Sequence, residues 1–165
     1  MRVLGIDTSL RSAGVGVVEA HGHRFSAIEF GRIHNAAKLK LSECLRRLDG
    51  GIREIIQRTQ PEAVAVEGIF FCKNVRTAVI LGEARGAVLA VCAGANLPVY
   101  EYSPRRVKQA VAGFGGADKS QVRKMVMSLL ALRDEPQEDA GDALAIAICH
   151  LNNSRVPAVL APETI

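Results

Sequence analysis

Residues Ala63–Glu67 read AVAVE, apolar on both faces up to the final carboxylate. A helix-length segment, residues 75–93, separates them from the next short run, Val99–Tyr102. A strand apolar on both faces belongs inside a sheet covered on both sides, and a helix between two strands returns the chain so that they run parallel. This one unit commits the chain to an α/β fold in which helices lie against a sheet.

The rest of the chain extends that unit. Arg2–Asp7 reads as a short buried strand and residues 13–19 (AGVGVVE) as a second, with Ser9, Arg11 and Ser12 in the polar turn of a hairpin. Residues 24–33 supply a third strand after His21, Gly22 and His23, a turn in preference to a metal site. Leu41, Leu45, Leu48, Ile52 and Ile55 recur at helical spacing and predict a helix over residues 38–58, despite Gly50 and Gly51, with Pro61 before the AVAVE strand. Ser103 and Pro104 read as an N-cap and first helical residue of a helix carrying Lys108, which the glycines from 113 to 116 end. Residues 119–132 form a further helix, and residues 138–151 (EDAGDALAIAICHL) a last one, acidic at its start and otherwise so apolar that it must be buried.

The sum is a five-stranded mixed sheet flanked by helices, an order that matches the RNase H-like topology. A single domain is expected over residues 1–154. Residues 155–165, with Pro157 and Pro162, have no periodicity and are expected to be a flexible tail. Gly82, Gly86 and Ala90 make a small-residue stripe on the helix of residues 75–93. Packing on the sheet is the simpler expectation for the stripe, and contact with a second copy the alternative.

Cys44, Cys72, Cys92 and Cys149 are widely spaced with no CxxC pair, which argues for reduced thiols in place of a disulfide framework or zinc site. The first residues lack a signal peptide pattern, and Glu83 and Arg85 interrupt the most apolar stretch, so a cytoplasmic protein without a membrane span is expected. The net charge of +4 is modest, but Arg105, Arg106, Lys108, Lys119, Arg123 and Lys124 cluster, which suggests a polyanionic partner.

Asp7 and Glu67 each end a strand, and strands that run parallel bring such residues side by side at the sheet edge where open α/β folds bind ligands. Asp139 and Asp142, three apart on a helix, project from one side of its first turns. Singly, these acids have structural explanations in turns, ion pairs and helix dipoles. Together they repel unless cations neutralise them, and four hard oxygen ligands favour magnesium or manganese over zinc. Two such ions, about 3.5–4 Å apart, suit a phosphodiester displacement with water as nucleophile.

The segments GIDTSLRSAGVGVV, AVEGIFFCKN, LGEARGAVLA, SPRRVKQAVAGFGGADKSQV and EDAGDALAIAICH, in this order, resemble successive motifs of the RuvC family of Holliday junction resolvases. The resemblance implies that Asp7, Glu67, Asp139 and Asp142 are the catalytic, metal-binding positions. It also implies a magnesium-dependent homodimer, with Mn2+ able to substitute and two ions per site, that makes paired symmetric nicks across four-way junction DNA and leaves 5′-phosphate ends. The partners it implies are the branch-migration proteins RuvA and RuvB.

Lys108 and Lys119 match basic positions near the scissile phosphate and along the DNA path, where a lysine neutralises charge without demanding a base. Phe70 matches an aromatic expected to stack on unpaired bases at the crossover, although one of the adjacent Phe70 and Phe71 could simply anchor the loop. Thr8 and Ser9 depart from the family's usual Asp-Pro-Gly.

Two other readings stay open at this point. MRVLGIDTS also resembles the opening strand of actin-like ATP-binding or tRNA-modification proteins, which need a second similar domain. A junction-binding protein without catalysis would use the lysines but not the four acids.

Overall fold

The structure is a computed structural model and describes residues 1–68, 74–154 and 163–165. Its elements follow in the order β1 (Arg2–Asp7), β2 (Ser12–His21), β3 (Arg24–His34), α1 (Leu41–Thr59), β4 (Ala63–Glu67), α2 (Val75–Gly94), β5 (Val99–Tyr102), α3 (Pro104–Ala112), α4 (Lys119–Leu129) and α5 (Glu138–Asn153).

The five strands form one sheet in the order β3-β2-β1-β4-β5. β1, β2 and β3 pair antiparallel, whereas β1, β4 and β5 run parallel. The turn between β2 and β3 is tight because Gly22 adopts φ +59°. Parallel register matches Ile6 with Val66, so one step further along each strand come Asp7 and Glu67.

Strand alternation divides the core in two. Leu4, Ile6, Val64 and Val66 meet Cys44, Leu48 and Ile52 of α1 and Ala84, Val88 and Cys92 of α2 on one face. Val3, Ala63 and Ala65 meet Val107 and Val111 of α3, Val122 and Val126 of α4, and most of α5 on the other. Asp7 and Glu67 share the parity of this second set and so point towards α3, α4 and α5.

Helix boundaries follow local chemistry. α1 starts at Leu41, the first residue of its apolar periodicity and three after the expected boundary at 38, because the Glu43 carboxylate accepts the Lys40 backbone N–H at 2.9 Å. Asn74 caps α2 by accepting from the Thr77 N–H, Ser103 caps α3 ahead of Pro104, and Asp118 caps α4. Gly113 closes α3 at φ +88°. α4 ends at Leu129, short of the expected residue 132, and Ala131 then takes φ +50°.

α5 is buried almost throughout from Ala140 to Leu151. Its large apolar side chains, Leu144, Ile146, Ile148 and Leu151, each contribute roughly 1.5–3 kcal/mol by leaving water. Its backbone lies directly on the sheet at three glycines. A Cβ at Gly5 would overlap the Ala143 carbonyl, one at Gly14 the Asp139 carbonyl, and one at Gly16 would stand 2.8 Å from the Leu144 nitrogen. At Gly5 and Gly14 no side chain fits between the strand and this helix.

The Gly82, Gly86 and Ala90 stripe of α2 does not pack on the sheet, which corrects the simpler expectation. All three residues are exposed, a Cβ at Gly82 or Gly86 would meet open space, and Val75 and Val79 beside them are 80% and 54% exposed. Ala84, Val88, Val91 and Cys92 make the packed face in its place. α2 is long and apolar enough to cross a membrane by length and composition.

Cys44, Cys92 and Cys149 are free and buried, while Cys72 lies outside the described residues. At the far edge of the sheet, Thr164 makes an antiparallel bridge to Tyr100, and the Ile165 N–H donates to the Val99 carbonyl at 3.0 Å.

Candidate active site

Three elements deliver the acids to one place. β1 and β4 end together at Asp7 and Glu67, and the glycine contacts fix the first turns of α5 above them, carrying Asp139 and Asp142. Asp7, Glu67 and Asp142 line a cleft of about 370 Å³ together with Lys108 of α3 and Lys119 of α4. Its floor is apolar, made by Val107, Val122, Ala145 and Ile146.

Asp139 is turned a little aside. The Ser12 hydroxyl, at the start of β2, donates to its Oδ2. Asp139 still bears electrostatically on Asp7. The four acids are therefore neighbours, and Asp139 and Asp142 have partners of their own. Among the described residues, no group of three or more His, Cys, Asp or Glu is drawn together closely enough to clasp an ion as the side chains lie. Ser12 retains Asp139, and the Lys119 ammonium sits 2.6 Å from Glu138 and 3.4 Å from Asp142.

The electrostatics show how much negative charge is concentrated here. Asp7 is pushed up to about 7 by its burial and then by Asp142, Glu67 and Asp139, with Lys119 only partly offsetting them. Burial and Asp142 also raise Glu67, against the pull of Lys119 and Lys108. Asp142 is raised by burial, while Lys119 opposes the shift. Glu138 is held below the usual carboxylate range by its bond from Lys119.

Cooperating oxygen donors that resist ionising side by side suit a hard divalent cation. The donor set contains no thiol or imidazole, so it fits magnesium or manganese better than zinc. Asp7, Glu67, Asp142 and Asp139 are the residues that could hold it.

Of the basic cluster, Lys108 and Lys119 reach the cleft. Arg106 instead donates to Asn153 on α5, and Arg123 pairs with Glu135 at 2.5 Å. Phe70 falls in residues 69–73, outside the described residues.

Several residues that build the site carried no functional expectation from sequence. Ser12 engages Asp139, Glu138 the rim lysine Lys119, and Arg85 the last residue of β4, all through contacts distant in the chain. Gly5, Gly14 and Gly16 did carry a local signal, since glycine inside a strand often marks close backbone approach.

A mixed sheet of this strand order, with acids gathered at the carboxyl end of its parallel strands and lysines on the rim, defines a nuclease of the RNase H-like class. The family described as Crossover junction endodeoxyribonuclease RuvC matches residues 3–150. The protein of that name from Caldicellulosiruptor saccharolyticus is 46% identical over 156 residues, covering 93% of this chain and 94% of the relative. That from Chloroflexus aggregans is 50% identical, covering 91% and 92%.

The structure of Thermus thermophilus RuvC in complex with Holliday junction substrate superposes with a TM-score of 0.93 at 35% identity, covering 100% of this chain and 99% of that one. The yeast mitochondrial Holliday junction resolvase Ydc2 shares the fold, with a TM-score of 0.64 at 9% identity over 91% of this chain and 78% of that one. The chain belongs to the RuvC family of crossover junction endodeoxyribonucleases. It is thus a Holliday junction resolvase, an endonuclease whose family is metal-dependent.

Proposed function

We propose that Asp7, Glu67, Asp139 and Asp142 form the catalytic, metal-binding centre of this resolvase, and that it works with Mg2+, replaceable by Mn2+, at two ions per site. The observation that carries this reading is the convergence of Asp7, Glu67 and Asp142 from three elements in one cleft, with Asp7 pushed up to about 7 by burial and by its acidic neighbours. Such repulsion is a standing cost that a divalent cation relieves. When bound, the ions supply the positive charge needed at the attacking and leaving oxygens of a phosphodiester displaced by water.

The remaining chemistry belongs to the chain. Lys108 and Lys119 face the same cleft, which supports their neutralising phosphates near the scissile bond and along the DNA path without reading a base. The apolar floor of Val107, Val122 and Ile146 keeps the carboxylates from being fully solvated. Ser12 orients Asp139 by donating to one oxygen and leaves the other free. Phe70, by family resemblance, contacts bases at the crossover. The nuclease unit comprises residues 1–154, and against the expectation of a loose end Thr164 and Ile165 pair with the β5 edge.

Paired, symmetric nicks need two sites, and the exposed apolar face of α2 supports a homodimer. Val75, Val79, Gly82, Gly86 and Ala90 offer a smooth, largely uncharged surface of the kind that lets two helices approach closely. A second copy would account for this surface without a membrane. The branch-migration proteins RuvA and RuvB are the further partners, and the cytoplasm, which keeps thiols reduced, is the compartment.

Cleavage of a synthetic four-way junction and of linear duplex of the same sequence, with and without Mg2+, tests the reading. Symmetric, Mg2+-dependent nicking of the junction alone is expected. Equal cleavage of both substrates, or cleavage in excess chelator, would overturn it.

A further inference from the structure

We infer that Arg85 of α2 is a positioning residue for Glu67, fixing the peptide plane from which that carboxylate projects. The inference rests on the reading of Glu67 as part of the metal-binding centre.

The Arg85 side chain is only 12% exposed although its helix shows solvent much of its surface. Its guanidinium spans two strands. Nη1 donates to the Glu67 backbone carbonyl at 2.9 Å, and Nη2 pairs with the Glu101 carboxylate on β5. Glu67 is the last residue of β4, opposite Tyr102 in the parallel register, and the following Gly68 N–H donates to the Tyr102 carbonyl at 2.9 Å. The peptide that joins Glu67 to Gly68 is thus held at its N–H end by β5, and Arg85 takes its carbonyl end.

The guanidinium bond adds a second anchor, so the plane is held at both of its polar ends. The preceding peptide is held by the pairing of Val66 with β1 and β5, so holding this one as well fixes the rotation about the Glu67 Cα–C bond and with it the direction in which the side chain leaves the strand. Glu101 in turn holds the guanidinium from β5, which makes α2, β4 and β5 a three-point clamp around one acid. A rigid planar fork suits this task, because it serves the two acceptors in fixed directions, whereas a lysine offers a single point charge. Displacements of about 1 Å near reacting groups can cost about a hundredfold in rate.

The test uses the full chain with Arg85→Gln, Arg85→Lys, Glu101→Ala and Glu67→Gln. Single-turnover nicking of a four-way junction is measured against Mg2+ concentration, junction affinity is measured in Ca2+, and Mn2+ binding to the DNA-free protein is followed by electron paramagnetic resonance. Thermal melts are recorded for every variant. Arg85→Gln is expected to slow nicking at saturating Mg2+ by about tenfold or more and to weaken Mn2+ binding, with junction affinity unchanged. Arg85→Lys recovers little of either loss, and Glu101→Ala shows a smaller loss of the same kind.

Parent-like nicking and Mn2+ binding in Arg85→Gln, or losses that disappear once assayed well below its melting temperature, would overturn the inference. Should Arg85→Gln fail to fold, parent-like values in Glu101→Ala overturn it instead. Full nicking by Glu67→Gln overturns the site reading itself, and this inference with it. An inactive Glu67→Gln beside a parent-like Arg85→Gln removes the positioning role alone.

Discussion

The ammonium of Lys119 stands 3.4 Å from Asp142 Oδ2, so the acidic centre already carries one cation of the protein's own. The same ammonium is bonded to Glu138 at 2.6 Å, and its pKa is raised above the usual lysine range chiefly by that bond. Lys119 thus serves Glu138 and Asp142 in the DNA-free protein, and the proposed contact with phosphate would draw on the same ammonium.

Lys119→Ala should accordingly have two effects. Because the lysine is 64% exposed, its loss should change stability in metal-free buffer by under about 1 kcal/mol. The slope of log junction affinity against log salt should become shallower by about one unit. Lys108→Ala should reduce the slope in the same way, and an unchanged slope in both variants would show that neither touches phosphate.

Asp7→Asn, Glu67→Gln and Asp142→Asn should each abolish nicking in Mg2+ while leaving junction affinity in Ca2+ within about twofold of the parent, because the rim lysines remain. Their melting temperatures in chelator should equal or exceed the parent's, since each removes one of several mutually repelling charges. Gel-based nicking, filter binding and thermal melts decide the three points.

The raised Asp7 gives a signed pH dependence. Its value in the fold, about 7, lies above the ordinary 3.8, so between these values the folded protein binds a proton that the unfolded chain has released. The associated stability is complete below pH 3.8 and is lost progressively as pH rises to about 7. In chelator, the difference in stability between Asp7→Asn and the parent should therefore grow in favour of the variant over that window and level off above it. A divalent cation competes with the same proton, so Mn2+ affinity should fall as pH drops below about 7 and should lose part of that dependence in Asp7→Asn.

Gly5→Ala and Gly14→Ala should be destabilising by about 1–3 kcal/mol or more, because the new Cβ would overlap carbonyl groups of α5 that have no rotamer to change. Nicking should fall further than stability alone explains, since α5 carries two of the acids. Gly50→Ala, in open space on α1, is the control and should be neutral or stabilising by up to about 1 kcal/mol. Urea unfolding and nicking assays on the three variants separate these outcomes.

β1 and β4 were legible in the sequence because burial on both faces leaves a nearly continuous apolar run, and β1, β4 and β5 have the bounds expected of them. Asp7 and Glu67 were legible for the same reason, as polar ends of apolar strands. The helix termini moved by up to three residues where a neighbouring side chain, such as Glu43, took the first free N–H. The outward turn of the Gly82 stripe was not legible, because a helix apolar all round does not reveal which face the sheet claims. Nor were Ser12, Glu138 and Arg85, whose partners lie 127, 19 and 18 residues away along the chain.

The contact between α5 and the sheet at Gly5 and Gly14 is peptide against peptide. Peptide groups have the same thickness in every protein, whatever residues flank them. The gap between the strand-borne and helix-borne acids is consequently gauged by an invariant, not by side-chain volume. Evolution can exchange Val, Leu and Ile elsewhere along α5, and the interior can swell or shrink to suit, while the calliper that sets the cutting geometry keeps its opening.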